Sequence, residues 1–189
     1  MIAVIDCSSL LSLARYYLPN DKKNKLYEFL KKKIENGEIL VIDKVLEEAR
    51  FVSQKLVVQR LDFLNDKEFC KKNQVGEKTE DLIPFAHERF YRMVDNSFAV
   101  RALTNRLSSA EYEVEKKLFL NSADIKMIVK CHNFKNADIE AVLITEETNR
   151  ANDRKYFKKI PAICDFLNIR TLNIQEFLEL QNELVIEIN

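Results

Sequence analysis

The residues with the clearest chemical potential are acids that lie beside short apolar segments. They are Asp6, Glu48, Asp124 and the adjacent pair Glu146 and Glu147. Neither of the two histidines has a second metal-type ligand at zinc-site spacing, and the four cysteines form no Cys-x-x-Cys pair. Carboxylates without nitrogen or sulfur partners suit a hard cation, which indicates Mg²⁺ or Mn²⁺. The chemistry of such a site is metal-assisted hydrolysis, most often of a phosphodiester.

The composition excludes several other classes of site. Two glycines, Gly37 and Gly76, cannot form a P-loop or a dinucleotide-binding fingerprint. The 30 basic residues balance the 30 acidic ones, so any nucleic-acid binding must use local basic patches. Scattered thiols suit a reducing cytosol. The first residues lack the basic segment of a signal peptide. No apolar run is long enough for a membrane helix. We therefore expect a cytoplasmic protein that does not span a membrane.

Short apolar strands alternate with helices along the chain. Strands are predicted at residues 2–5, 39–42, 141–144 and 169–172, with 184–188 as a fifth strand or a tail. Helices are predicted at 44–64, 121–133 and 155–167, and the stretch 83–120 is predicted to be helical with a break near Ser108. A linker or loop is predicted at 65–82. This order predicts an α/β fold in which helices cover both faces of a mainly parallel sheet. We expect one domain over residues 1–189, with a helical elaboration at about 65–120.

Two of the acidic positions directly follow predicted strands. Asp6 comes after the first strand, and Glu146 and Glu147 come after the third. Ligands of parallel α/β sheets bind beyond the carboxyl ends of the strands. We therefore expect these acids to lie at the same, functional edge of the sheet.

Helical phase distinguishes Glu48 from its neighbour Glu47. The helix after the second strand has an apolar stripe made of Val45, Ala49, Val52 and Leu56. At 100° per residue, Glu48 lies about 60° from Val45, whereas Glu47 lies about 200° away and faces outward. An acid that leans toward a core must be paired, protonated or metal-bound. The alternative for Glu48 is a partly buried side chain that reaches an arginine or a backbone amide.

Asp124 is the fourth candidate, and its local sequence also allows a structural role. It lies in the first turn of a helix that begins after Asn121 and Ser122. An acid there complements the helix dipole, and Asn121 with Asp124 mimics a capping box. On local sequence alone, the capping role is the stronger interpretation.

Taken in order, the motifs around these acids resemble those of the PIN domain family. That family has a strand ending in Asp followed by a small hydroxyl residue, a Glu after the second strand, an Ala-Asp pair opening a later helix, and an acid two residues after a strand-end Thr. The matching segments are Val4-Ile5-Asp6-Cys7-Ser8, Val45-Leu46-Glu47-Glu48-Ala49, Ser122-Ala123-Asp124 and Leu143-Ile144-Thr145-Glu146-Glu147.

The resemblance implies a three-layer α/β/α domain with Mg²⁺ or Mn²⁺ held by four acids. These acids would be Asp6, Glu48, Asp124 and Glu147. Ser8 and Thr145 match positions that usually support the acids by hydrogen bonds. The implied activity is cleavage of single-stranded RNA by a metal-activated water. Such domains are often the toxin of a toxin–antitoxin pair, so the implied partners are RNA, a small antitoxin protein and a second copy of the chain.

The fourth motif departs from the commonest PIN pattern, because Glu147 stands where Asp is usual. A branch of PIN-like proteins of uncharacterised role resembles the chain more closely. It has Thr-Xaa-Glu at this position, followed by a Lys-Ile-Pro-Xaa-Xaa-Cys segment that matches residues 159–164. Position 7 is Cys where Thr is usual, and the insertion at about 65–118 is longer than in compact members.

Two basic clusters are candidates for RNA binding. One comprises Lys22, Lys23, Lys25, Lys31, Lys32 and Lys33, and the other comprises Arg150, Arg154, Lys155, Lys158 and Lys159. We expect Arg150, Arg154 and Lys155 to contact phosphates, because this cluster begins three residues after Glu147. Tyr156 and Phe157 could stack on bases. The alternatives are solvated helix faces for the lysines and core positions for the aromatic residues.

Two other functions remain open at this point. The first is a PIN-like module that no longer cleaves and acts through RNA or protein contacts, which the Glu at position 147 favours. The second is a phosphotransfer domain with Asp6 as the acceptor. The second ranks low, because position 8 is Ser and not the further Asp that such a site needs.

Overall fold

The central sheet is formed by four parallel strands. The computed structural model describes residues 1–148 and 155–181. The strands are β1 (Ile2–Ile5), β2 (Ile39–Leu40), β3 (Ala141–Ile144) and β4 (Arg170–Leu172). The side chains of β1, β2 and β3 are apolar and mostly buried, as expected for a sheet covered on both faces, whereas the edge strand β4 includes the exposed Arg170. The predicted α/β architecture, with three α/β/α layers around a parallel sheet, is confirmed.

The strand order is β2-β1-β3-β4, which places β1 between two strands that come later in the chain. Ile5 of β1 lies beside Ile144 of β3, and Ile144 lies beside Leu172 of β4. Because β2 and β3 lie on opposite sides of β1, the order reverses between β1 and β3. In open α/β sheets, the crevice at such a switch point is where ligands bind. The residues directly after β1 and β3 therefore occupy the position with the best geometry for a site.

Eleven α-helices surround the sheet in the part of the chain that the structure describes. They are α1 (Cys7–Ser12), α2 (Lys25–Glu35), α3 (Asp43–Phe51), α4 (Leu56–Arg60), α5 (Lys67–Lys72), α6 (His87–Met93), α7 (Arg101–Thr104), α8 (Ser109–Leu120), α9 (Ala123–Asn136), α10 (Ile160–Leu167) and α11 (Ile174–Glu179). Helix α9 packs on β1 and β3. Its Met127 and Ile128 are fully buried, so the helix that carries Asp124 is anchored in the core.

The helix predicted over residues 44–64 is interrupted. Helix α3 ends at Phe51, and the next helix begins only at Leu56. Between them, Ser53, Gln54 and Lys55 all have positive φ angles of 48°, 57° and 67°. Residues other than glycine rarely adopt this conformation. The break brings Val57 and Val58 into the core, and their burial offsets the local strain.

Two further element predictions were wrong in part. Residues 65–82 are not a continuous loop, because Asp66 accepts hydrogen bonds from the backbone N–H groups of Glu68 and Phe69 and starts helix α5. The helix predicted to begin at residue 155 begins at Ile160, with Pro161 in its first turn, where proline is favoured. Before it, Phe157 pairs with Ala99 in an antiparallel bridge.

The break near Ser108 was predicted correctly, because Ser108 caps α8 with a capping box, but the predicted helix before it begins only at His87 and is divided into α6 and α7. The fifth strand or tail at 184–188 lies outside the described residues. None of the helices within the described ranges combines the length and apolar character needed to cross a membrane.

Candidate active site

Asp6 is held rigidly at the carboxyl end of β1. Its backbone N–H donates to the Ile144 carbonyl, which continues the pairing of β1 with β3. Its carboxylate is buried and accepts three hydrogen bonds, from the Ser9 backbone N–H at 2.7 Å, the Ser8 hydroxyl at 2.8 Å and the Thr145 hydroxyl at 2.6 Å. Ser8 and Thr145 thus both touch the acid that they were expected to support. The bond from Ser9 also caps α1, so Asp6 has a structural role as well.

The two glutamates after β3 diverge toward different helices. The Glu146 carboxylate accepts from the Ile174 backbone N–H at 2.9 Å, at the start of α11. The Glu147 carboxylate accepts from the Ile160 backbone N–H at 3.2 Å, at the start of α10, and from the Lys155 ammonium at 3.4 Å. Sequence reasoning missed these contacts. A carboxylate satisfies the orphan N–H groups of a helix start, and its charge complements the helix dipole.

Glu48 faces the acids at the sheet edge, although its side chain remains exposed. The partial burial of its carboxyl group, and then the negative charges of Asp124 and Asp6, raise its pKa, while Lys44 opposes the shift. Glu47 lines a different cavity, together with Lys44 and Arg50. The two glutamates therefore have different surroundings, but the expected lean of Glu48 toward the core is not observed, because both side chains are exposed.

Asp124 has the most perturbed carboxyl group of the cluster. Burial, and then the negative charge of Glu147, raise its pKa to about 6; Lys155 opposes this shift, and Asp6 makes the smallest contribution to it. The capping box expected between Asn121 and Asp124 does not form, although Asp124 does lie in the first turn of α9, where an acid complements the helix dipole. Ser122 caps α9 by accepting from the Ile125 backbone N–H, whereas Asn121 ends the preceding helix. Asp124 therefore does not cap α9, and its ionised form is disfavoured by burial and by the neighbouring acids.

Asp6, Glu48, Asp124 and Glu147 are therefore linked by the effects of their charges on one another near the carboxyl ends of β1 and β3. Burial, and then the charges of Glu48 and Asp6, raise the pKa of the Cys7 thiol to about 12. This cysteine is therefore a poor nucleophile. Within residues 1–148 and 155–181, no three acidic, histidine or cysteine side chains converge closely enough to enclose a metal ion. The chemistry of the donors nevertheless fits a divalent cation. Its charge would relieve the repulsion that raises the pKa values of Glu48 and Asp124.

The raised pKa of Asp124 predicts a pH dependence of the metal-free protein. The folded state binds this proton more tightly than the unfolded state, whose pKa is the ordinary 3.8. The resulting stabilisation is fully present below about pH 4 and is lost as the pH rises through about 6. Over that window, wild-type protein in EDTA should lose up to about 3 kcal/mol of unfolding free energy relative to Asp124→Asn. Urea unfolding of both proteins at pH 4 to 7 would measure this, and a constant difference between them would contradict the shift.

The candidate RNA-binding residues have mixed surroundings. Lys155 is exposed and lies beside Glu147, whereas Arg150 and Arg154 lie outside the described residues. Tyr156 is half-buried, but Phe157 is a core residue that stacks on Phe119 with ring centroids 4.2 Å apart. In the first lysine cluster, Lys33 forms an ion pair with Glu38 at 2.6 Å. That lysine therefore has a structural partner.

The fold and the site define a class: a parallel α/β domain with an electrostatically coupled group of carboxylates at its switch point. By sequence, the chain belongs to a family described as a domain of unknown function (DUF4411), which matches residues 4–184. No curated protein and no solved structure matches the chain.

Proposed function

We propose that the protein is a metal-dependent endoribonuclease of PIN type that cleaves single-stranded RNA. The observation that carries the proposal is the position of Asp6 at the switch point of the sheet, where Thr145 donates to it and where burial, and then the charges of Glu147 and Asp6, raise the pKa of Asp124. Such repulsion is costly for a purely structural cluster, whereas it favours binding of a divalent cation. The position of the acids at the switch point of the sheet and the sequence resemblance to PIN domains support the same assignment.

In this proposal the acids have different tasks. Asp6, Glu48 and Asp124 would hold Mg²⁺ or Mn²⁺, and Ser8 and Thr145 would orient Asp6 through the hydrogen bonds described above. Glu147 would join them after giving up its contact with Lys155. When bound, the cation lowers the pKa of water and offsets the charge of a phosphodiester. The same resemblance extends the proposal to a cytoplasmic toxin that binds a small antitoxin protein and pairs with a second copy of itself.

Removing the metal tests this function directly. Purified protein should cleave a single-stranded RNA in the presence of Mn²⁺ or Mg²⁺, and EDTA should abolish the cleavage. Re-addition of Mn²⁺ should restore it, because the acids remain folded in place without the ion. Full activity in EDTA, or no cleavage of any single-stranded RNA at any metal concentration, would contradict the proposal.

Neutralising Arg150, Arg154 and Lys155 should weaken RNA binding and flatten its salt dependence. Each lost phosphate contact should reduce the slope of log affinity against log salt by roughly 0.7 for a single strand, so the triple variant should lose about 2. Mn²⁺ affinity should not fall, because these side chains are donors and cannot ligate a cation. The slopes can be measured by fluorescence anisotropy with a labelled RNA.

The control for this experiment neutralises Lys22, Lys31 and Lys32, and it leaves Lys33 intact because Lys33 is paired with Glu38. This variant should keep the wild-type slope. A reduced slope in the control with an unchanged slope in the test variant would place the RNA path on the α2 side of the molecule.

A binding module without cleavage is the second candidate function. The contacts of Glu147 favour this function, because neither carboxylate oxygen is free. One accepts from the Ile160 backbone N–H, and the other accepts from the Lys155 ammonium. Such a module would bind RNA or a protein partner and show no metal-dependent cleavage. Metal titration in the cleavage assay therefore separates the two functions.

A further inference from the structure

A cavity of about 380 Å³ opens beside the acidic cluster, and Asp124 forms part of its wall. Helix α8 contributes Glu115, Leu118 and Phe119, and Ser122 lies at the start of α9. The remaining wall comes from residues 155–158. The backbone of these residues is held by hydrogen bonds, from the Val100 N–H to the Tyr156 carbonyl and from the Lys158 N–H to the Phe98 carbonyl. The cavity is therefore built on two ordered elements.

The walls combine aromatic surface with positive charge. Phe119 is half-buried and lies almost parallel to the buried Phe157, with 8° between the ring planes. Tyr156 is half-buried beside them, and Leu118 is 62% exposed at the rim. Exposed Lys155 and Lys158 complete the cavity. Planar apolar walls with cations at the edge suit a nucleobase and its phosphate.

Glu115 gives this cavity a means of selecting one base. Its side chain is half-buried and forms no hydrogen bond or ion pair with any residue that the structure describes. An ionised carboxylate only accepts hydrogen bonds, and it can accept two in parallel. In a single strand the Watson–Crick edges of the bases are free to be read. Guanine alone presents two adjacent N–H donors on that edge, whereas adenine, cytosine and uracil each present an acceptor next to a donor.

We infer that this cavity is a guanine-selective subsite, in which Glu115 accepts from the N1–H and N2–H groups of the base. The inference rests on the proposed nuclease function, because it places the guanine next to the phosphodiester that is cleaved. Phe119 and Tyr156 stack with the base, and Lys155 and Lys158 meet its phosphate. Glu115 determines specificity and does not belong to the acids that would hold the cation.

Mapping of cleavage sites tests the subsite. The wild-type protein, incubated with Mn²⁺ and a pool of single-stranded RNA of random sequence, should show guanine at one position beside the cut, enriched on the order of tenfold. Glu115→Gln should remove this enrichment, because the amide has only one acceptor oxygen and its NH₂ group opposes a donor. Glu113→Gln is the matched control, since Glu113 is an exposed acid of the same helix that lines a different cavity, and it should keep the guanine preference.

Nucleotide binding separates the subsite from the nuclease function. Calorimetry with the full chain should show that GMP binds about tenfold more tightly than IMP, which lacks the N2 amino group, and Glu115→Gln should abolish the difference. If GMP is selected but no RNA is cleaved, the subsite stands and the nuclease function fails. RNA cleavage without base preference, together with equal binding of GMP and IMP, would overturn the subsite alone. A loss of Mn²⁺ affinity in Glu115→Gln would also overturn it, because Glu115 would then belong to the acidic cluster.

Discussion

Replacing Asp6 with asparagine should reduce RNA cleavage by at least about 100-fold while the protein stays folded. Asparagine keeps one carbonyl oxygen that can accept from the Ser9 N–H, so the cap of α1 is preserved. The Ser8 and Thr145 hydroxyls can rotate to accept from the new amide group, since a hydroxyl serves as donor or acceptor. The substitution therefore removes the carboxylate charge, which a divalent cation needs, and one acceptor oxygen whose two hydroxyl partners can adapt. Cleavage rates with Mn²⁺ and circular dichroism of the same samples would check both halves of the prediction.

Two controls make the Asp6 result specific. Ser8→Ala removes one of the hydrogen bonds that orient the carboxylate but leaves its charge, so we expect a smaller loss, on the order of tenfold. In EDTA, the melting temperature of Asp6→Asn should equal or exceed that of the wild type, because one repelling charge is gone from beside Glu48 and Asp124. Cleavage by Asp6→Asn at the wild-type rate would show that the acid has only its structural role.

The sheet and the meeting of the residues that follow β1 and β3 could be predicted from the sequence because both depend on local patterns. Three short apolar segments and a shorter fourth strand, separated by helical periodicity, are sufficient to predict a parallel sheet. In such a sheet, the residues after β1 and β3 must share one edge, which is why Asp6 and Thr145 come into contact. The 3.6-residue period separates the directions of Glu48 and Glu47, but it overestimated the burial of Glu48, which is exposed.

Features that depend on tertiary packing could not be predicted in the same way. Positive φ angles at Ser53, Gln54 and Lys55 have no local signal, since none of the three is a glycine. The core position of Phe157 depends on its pairing with Ala99, which lies 58 residues away in the helical elaboration. Glu147 looked like a free acid after a strand, and only the three-dimensional arrangement shows the start of α10 donating to it.

Glu48 and Glu47 provide the sharpest comparison within the acidic cluster, because they are adjacent, chemically identical and both exposed. The charges of Asp124 and Asp6 act on Glu48, whereas Glu47 lines a cavity with Lys44 and Arg50. Glu48→Gln should therefore weaken Mn²⁺ binding by at least about tenfold and reduce cleavage by a similar or larger factor. Glu47→Gln should change each quantity by less than about twofold, as expected for a surface substitution.

The comparison can be made by titrating Mn²⁺ into each variant by calorimetry and by following RNA cleavage at saturating metal. Both substitutions keep the length of the side chain and its place on α3, and glutamine has nearly the same helix propensity as glutamate. Any difference between the variants therefore reports the direction in which the lost charge pointed. Equal losses of Mn²⁺ affinity and cleavage in the two variants would mean that α3 acts through its total charge. A loss of both quantities in Glu47→Gln alone would place the metal on the opposite face of the helix.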